Sequence, residues 1–200
     1  MQTNLHISRR SVVLSLAGLV AFAPTMASAL TEVQASQLID KVVLDLNRII
    51  SSGKSEVGMY PDFERLFNTY ADVPIIAQSA LGVQWRSASS SQQSAYIAAF
   101  RTYMARKYGK RFREFIGGNI TVTGLKKFTW GYLVNSTANL PGSSPFALDW
   151  QVSDKSGASK MFNIYIEGIS LLATERTEIG AMLDKRNGDL NRLIADLKAM

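Results

Sequence analysis

The apolar residues of this chain change their spacing twice, and that change limits the fold more than any single motif. From Leu38 to Phe115 they recur every three or four residues, the period of a helix with one buried stripe. From Ile120 to Ile166 they alternate, the period of strands. From Leu171 onward the helical period returns. Helices, then a run of short strands joined by turn-like segments, then helices again describe an α+β domain, with helices packed on an antiparallel meander. No internal repeat, low-complexity stretch or linker divides residues 30–200, which read as one domain.

The boundaries follow from local chemistry. Thr31 and Gln34 form a capping box ahead of a stripe of Leu38, Ile39, Val42, Val43, Leu46, Ile49 and Ile50, which Gly53 ends. A short helix is expected around Phe63, Leu66, Phe67 and Tyr70. Another is expected from Asp72, with Pro74 in its first turn and Gly82 at its end. Ser90 and Gln93 suggest a second capping box before the longest helix, whose stripe includes Tyr96, Phe100, Tyr103, Met104 and Tyr108. Four strands are expected. Two come from the stretch Ile120–Val134, where Phe128, Trp130, Tyr132 and Val134 alternate; the others are Phe146–Val152 and Met161–Ile166. Asn187-Gly188-Asp189 separates two closing helices. The strands carry large apolar groups on both faces, so the sheet is expected to be covered on both faces or to line a cavity.

Residues 1–29 have the three parts of a cleavable export signal. Ser8-Arg9-Arg10 is the charged part, with no acidic residue before Leu30. Val12–Phe22 is the apolar part, and Ala27-Ser28-Ala29 is the small-residue cleavage site. Cleavage after Ala29 would leave a chain starting at Leu30. The paired arginines resemble a twin-arginine signal, but Val12 and Val13 stand where Phe-Leu is common, so both that route and the general one remain open. The apolar run is short for a spanning helix, which needs about 20 residues.

Cleavage would also narrow the available chemistry. The single histidine, His6, lies in the signal, and the chain has no cysteine. A chain without either has no imidazole base, no thiolate nucleophile, no disulfide and no His or Cys metal ligand. Loss of Arg9 and Arg10 lowers the formal net charge from +6 to +4, a mildly basic balance suited to anionic surfaces and too weak to indicate nucleic acid. Ser51-Ser52-Gly53-Lys54 has serine–lysine acyl-enzyme spacing, but Gly53 interrupts the turn and no companion motif follows. No glycine-rich phosphate loop is present. Asp149, Asp154 and Glu167 in or beside the sheet are the remaining acid–base candidates.

Four segments, taken in order, resemble the MlaC-type periplasmic phospholipid carriers, also called the toluene-tolerance auxiliary family. They are Phe63-Glu64-Arg65-Leu66-Phe67 with Tyr70; Ile76-Ala77, Leu81-Gly82 and Trp85-Arg86; Gln92-Gln93 through Tyr96, Ala99-Phe100-Arg101, Tyr103-Met104 and Tyr108; and Ile164-Tyr165-Ile166-Glu167-Gly168-Ile169-Ser170-Leu171 with Arg176. Ser159 and Asn163 depart from that family, which usually has Trp and Asp there.

The resemblance implies helices on a curved four-stranded antiparallel sheet, similar to the nuclear-transport-factor-2-like cone with additional helices. It implies a diacyl phospholipid held in an apolar pocket, no metal or organic cofactor, and no catalysis. Its partners would be an inner-membrane ABC transporter with an MCE-type ring and an outer-membrane lipoprotein–porin complex. Candidate lipid-binding residues are Tyr132, Val134, Leu148, Trp150, Phe162, Ile164 and Ile166 on the sheet, facing Ile76, Phe100, Tyr103 and Met104 on the helices. Arg101 and Arg106 are candidates for partner or headgroup contact. Two alternatives stand beside this reading: an enzyme of the same cone-shaped fold with Asp149 or Glu167 as base, and a binder of another apolar ligand such as a sterol or hopanoid.

Overall fold

The computed structural model describes residues 30–200; the expected signal lies outside them. Four helices come first: α1 (Glu32–Ile50), α2 (Glu56–Tyr70), α3 (Val73–Leu81) and α4 (Ser90–Phe112). The strands β1 (Asn119–Phe128), β2 (Gly131–Asn139), β3 (Phe146–Ser153), β4 (Lys160–Ile166) and β5 (Ile169–Ser170) follow. Then come α5 (Leu171–Asp184) and α6 (Leu190–Ala199). The strands form one open antiparallel sheet in chain order.

The helix starts obey the capping logic, with two adjustments. The Thr31–Gln34 box is formed on both sides. Before α4 the box is one residue earlier than expected. Ser89 Oγ accepts from the Gln92 N–H, and the Gln92 side chain accepts from the Ser89 N–H. Helix α2 is longer than its apolar stripe suggests. It starts behind a Ser55 cap and includes Gly58 and Pro61, both poor helix formers, so the sequence hides its first turns. Pro61 is the sixth residue of the helix, past the N–H groups that lack helical partners, so it removes the N–H that the Val57 carbonyl would otherwise accept from.

The sheet has five strands rather than four. Glu167 and Gly168 both have positive φ, 49° and 80°, as a two-residue hairpin turn requires. They fold Ile169–Ser170 back on β4, and a strand of two residues has no periodicity to read. Trp130 is in no strand. Thr129 and Trp130 form the turn between β1 and β2, and Trp130 is 57% exposed with the Lys155 ammonium 4.5 Å from its ring centre. A two-residue loop inverts parity: Phe128 pairs with Gly131 and Tyr132 with Lys127, so the alternation that runs through Phe128, Trp130 and Tyr132 does not follow one face of the sheet.

One face of the sheet is buried. Tyr132, Val134, Ser136 and Ala138 alternate with half-exposed neighbours along β2, and the register aligns Val134 with Trp150 and Trp150 with Ile164. The opposite face carries Asn135, Thr137, Asp149 and Gln151 and is not fully covered. Both-face coverage is therefore not needed; the apolar residues of the second face, such as Leu133 and Tyr165, are only half-buried. Bulges in β1 between Val122 and Gly124, and opposite Gln151–Val152 at Phe162, bend the strands. Helix α1 lies against β1, β2 and β3, while α3 and α5 lie against β4. Asn163 fastens this corner. Its Oδ1 accepts from the N–H groups of Ile164 and Leu172, and its amide donates to Gln151. An aspartate there would lack that last donor.

Gly131 makes the tightest backbone approach. A Cβ there would fall 1.9 Å from the Val152 carbonyl oxygen, and its φ is 152°. Gly131→Ala should therefore lower unfolding free energy by about 3 kcal/mol or more, because the obstacle is backbone and cannot yield. Gly142→Ala meets nothing within 4 Å and should cost about 1 kcal/mol through its positive φ alone. Denaturant titration of the two variants gives the comparison; equal losses would contradict this packing.

Candidate functional site

The apolar stripes of α1, α2 and α4 face the buried side of the sheet without filling the space between them. A cavity of about 370 Å³ remains, within the range of about 300–1,000 Å³ usual for small-molecule pockets. Helices α1 and α2 line it with Val42, Leu46, Phe63, Leu66 and Phe67. Helix α4 contributes Met104, Ala105 and Tyr108, and the sheet contributes Ile120, Phe146, Leu148, Trp150, Met161, Ile164 and Ile166. Three wall residues are exposed, Arg111 and Glu114 near the end of α4 and Ser143 in the β2–β3 loop, so the mouth is there. The polar atoms of the wall are satisfied internally where they are buried. The Trp150 indole N–H donates to Ser136 Oγ at 3.0 Å, and the Ser136 hydroxyl donates to the Leu148 carbonyl. This pair fixes the Trp150 ring in the wall without leaving a buried donor unpaired.

The candidate residues divide by place. Met104, Leu148, Trp150, Ile164 and Ile166 line the large cavity. Ile76 and Phe162 line a smaller one of about 40 Å³, which adjoins it and shares Phe67, Met104, Met161, Ile164 and Leu171 as wall. Phe162 is the unpaired residue of the β4 bulge. Phe100, Tyr103, Tyr132 and Val134 line neither cavity and are buried in the packed core. Arg101 pairs with Glu64 at 3.0 Å, and Arg106 donates to the Lys198 carbonyl at 3.3 Å; neither lines the large cavity. Asp149 is on the other face of the sheet and Glu167 is in the exposed β4–β5 turn, so neither carboxylate reaches the cavity. Asp154 accepts from the Leu30 N–H at 2.7 Å. Among the described residues no group of His, Cys, Asp or Glu is placed to hold a metal ion.

Sequence reasoning missed the one carboxylate that is buried among the described residues. Glu175 has no exposed surface and lines the smaller cavity. The Lys107 ammonium donates to its Oε1 at 2.6 Å and also pairs with Glu178, and the Tyr108 hydroxyl donates to the same Oε1. Lys107 thus turns inward from a helix face that reads as solvated. The one signal available was spacing: of the two acidic residues between Leu172 and Ile179, Glu175 stands four residues from both Leu171 and Ile179, on the apolar stripe of α5.

Burial raises the hydroxyl pKa values of Tyr96, Tyr103 and Tyr108, with Tyr103 pushed up to about 12. For Lys107, burial alone would lower the ammonium, but its hydrogen bonds to Glu175 and Glu178 outweigh that and raise it. All four groups therefore hold their protons longer folded than unfolded. Their contribution to stability is complete below the unfolded value of 10.0 for tyrosine and is lost as pH rises toward the folded values. Denaturation midpoints measured from about pH 8 to pH 12 should fall steeply above about pH 10, and Tyr96→Phe should flatten the fall. A midpoint constant to about pH 12 would contradict the buried placement of these hydroxyls.

Comparison with known proteins gives a consistent result. The family model described as MlaC protein matches residues 36–199. Among solved structures, a phospholipid-binding protein from Ralstonia solanacearum in complex with a phospholipid is similar, with a TM-score of 0.67 and 23% sequence identity. The similarity covers 82% of this chain and 98% of that one, and at this identity it establishes the shared fold. Since the family model spans most of the sequence and nearly all of the folded part, the chain belongs to the MlaC family.

Proposed function

We propose that this protein is a periplasmic carrier that holds phospholipid acyl chains in the cavity between α1, α2, α4 and the sheet. The carrying observation is that cavity: about 370 Å³, apolar along its length, and polar only where Arg111, Glu114 and Ser143 meet solvent. Two acyl chains hold about thirty methylenes, and exposing them to water costs on the order of 20–25 kcal/mol. Unaided passage of a phospholipid through water is therefore negligible, and a carrier must cover the tails while leaving the headgroup wet. Family membership and the phospholipid bound to the Ralstonia protein favour this reading over an enzymatic one. In this reading Arg111 takes the headgroup role assigned above to Arg101 and Arg106, since it alone of the three lines the cavity. Arg101 and Arg106 remain available for partner contact.

Export and partners complete the proposal. The signal in residues 1–29 is removed after Ala29, by either route. The new amino group of Leu30 would then stand beside Asp154, since the Leu30 nitrogen is 2.7 Å from its carboxylate. The carrier exchanges lipid with an inner-membrane ABC transporter bearing an MCE-type ring and with an outer-membrane lipoprotein–porin complex. Among the described residues no helix is long and apolar enough to cross a membrane.

A liposome transfer assay tests the carrier role. The protein should move a fluorescent phospholipid from donor to acceptor vesicles faster than spontaneous exchange. Ile164→Asp places a charge in the cavity wall and should reduce the rate at least about tenfold, the cost of a buried unpaired polar group. A variant that folds and transfers at the parent rate would place the lipid elsewhere.

A further inference from the structure

Glu175 is the last residue one would choose to floor a cavity for hydrocarbon. It is wholly buried, it lines the small cavity that shares five wall residues with the large one, and its two carboxylate oxygens are treated differently. Oε1 accepts from both Lys107 and Tyr108, whereas among the described residues no donor reaches Oε2. The Tyr108 hydroxyl has a single proton, and of the three Lys107 N–H donors one goes to Oε1, one to Glu178 and none reaches Oε2. A buried carboxylate oxygen left without a donor is costly, so this atom favours an O–H group beside it. The small cavity, at about 40 Å³, has room for one, since a water needs roughly 10–15 Å³ of such space; Oε2 itself is buried, so a hydroxyl there meets it only when a neighbouring side chain moves. The partition between the cavities includes Met104 and Met161, flexible side chains that can turn aside.

We propose that Glu175 Oε2 is a hydroxyl-acceptor site at the inner end of the acyl cavity. It accepts an O–H from water beneath an ordinary methyl-ended tail, or from the tail itself when that tail ends in a hydroxyl. The protein therefore admits terminally hydroxylated acyl chains that an apolar floor would reject. This inference rests on the acyl-cavity reading above and adds a second ligand class to it.

The test displaces a bound fluorescent fatty acid from the purified protein with saturated fatty acids of graded length and with their ω-hydroxy counterparts. For tails too short to reach Glu175, the hydroxyl is buried without a partner and should weaken competition on the order of tenfold. At the length that reaches Glu175, that penalty should vanish, and the hydroxy acid should compete at least as well as its methyl-ended parent. In Lys107→Met/Glu175→Met, where neither charge is left unpaired, the penalty should persist at every length. A hydroxy acid that competes more weakly than its parent at every length in the unaltered protein overturns the proposal, whether or not the double variant folds. A probe that no acid of any length displaces overturns the acyl-cavity reading, and this inference with it.

Discussion

The helices and the sheet bring more apolar surface out of water than they press together, and the remaining mismatch governs this molecule. Residues on both sides of the gap, such as Leu46 and Phe63 on the helices and Leu148 and Trp150 on the sheet, are buried yet line a common cavity. Unfilled apolar volume in protein cores costs about 24 cal/mol per Å³. On that scale about 370 Å³ would cost up to roughly 9 kcal/mol, comparable to the whole stability of an ordinary domain. A fold with that mismatch gains by holding something apolar. The tension that makes the cavity expensive also makes a hydrocarbon tail a good occupant.

The surrounding polar groups keep the walls apart and in place. Ser136 joins β2 to β3 and satisfies the Trp150 indole, so the largest wall residue is held by geometry as well as by packing. Asn163 ties β4 to the start of α5, and the Asp72 N–H donates to the Met161 carbonyl, fixing the α2–α3 junction to the same strand. Lys107, Tyr108 and Glu175 tie α4 to α5 behind the cavity. Removing one partner from such a buried ion pair leaves the other charge uncompensated, typically at a cost of about 3–5 kcal/mol. The α4–α5 spacing is thereby fixed at the inner end, while the exposed residues Arg111, Glu114 and Ser143 leave the mouth open to solvent.

Much of the architecture was legible because it depends on short-range rules. The Thr31–Gln34 box, the Asp72 cap with Pro74, and the closing Asn187-Gly188-Asp189 turn are local, and each appears where the residues put it. The order of helices, meander and helices followed from the change in period. What escaped notice was too short or too mixed to have a period: the two residues of β5, the Gly- and Pro-containing start of α2, and the turn at Trp130. The cavity was harder still. Strand parity says which face Val134 and Trp150 share, but not that Val134 packs solidly while Trp150 borders open space. Helical spacing likewise puts Phe100 and Met104 on one stripe, although only Met104 reaches the cavity. Glu175 could not be found from hydropathy, because an acidic residue within Thr174-Glu175-Arg176-Thr177-Glu178 looks solvated until Lys107 and Tyr108 arrive from α4.

The central claim is that the cavity exists to hold the tails of a phospholipid. The most direct measurement is organic-solvent extraction of the protein purified without detergent, followed by mass spectrometry of the extract. The account predicts diacyl phospholipid in near-stoichiometric yield. Extracts empty of lipid across repeated preparations would contradict it.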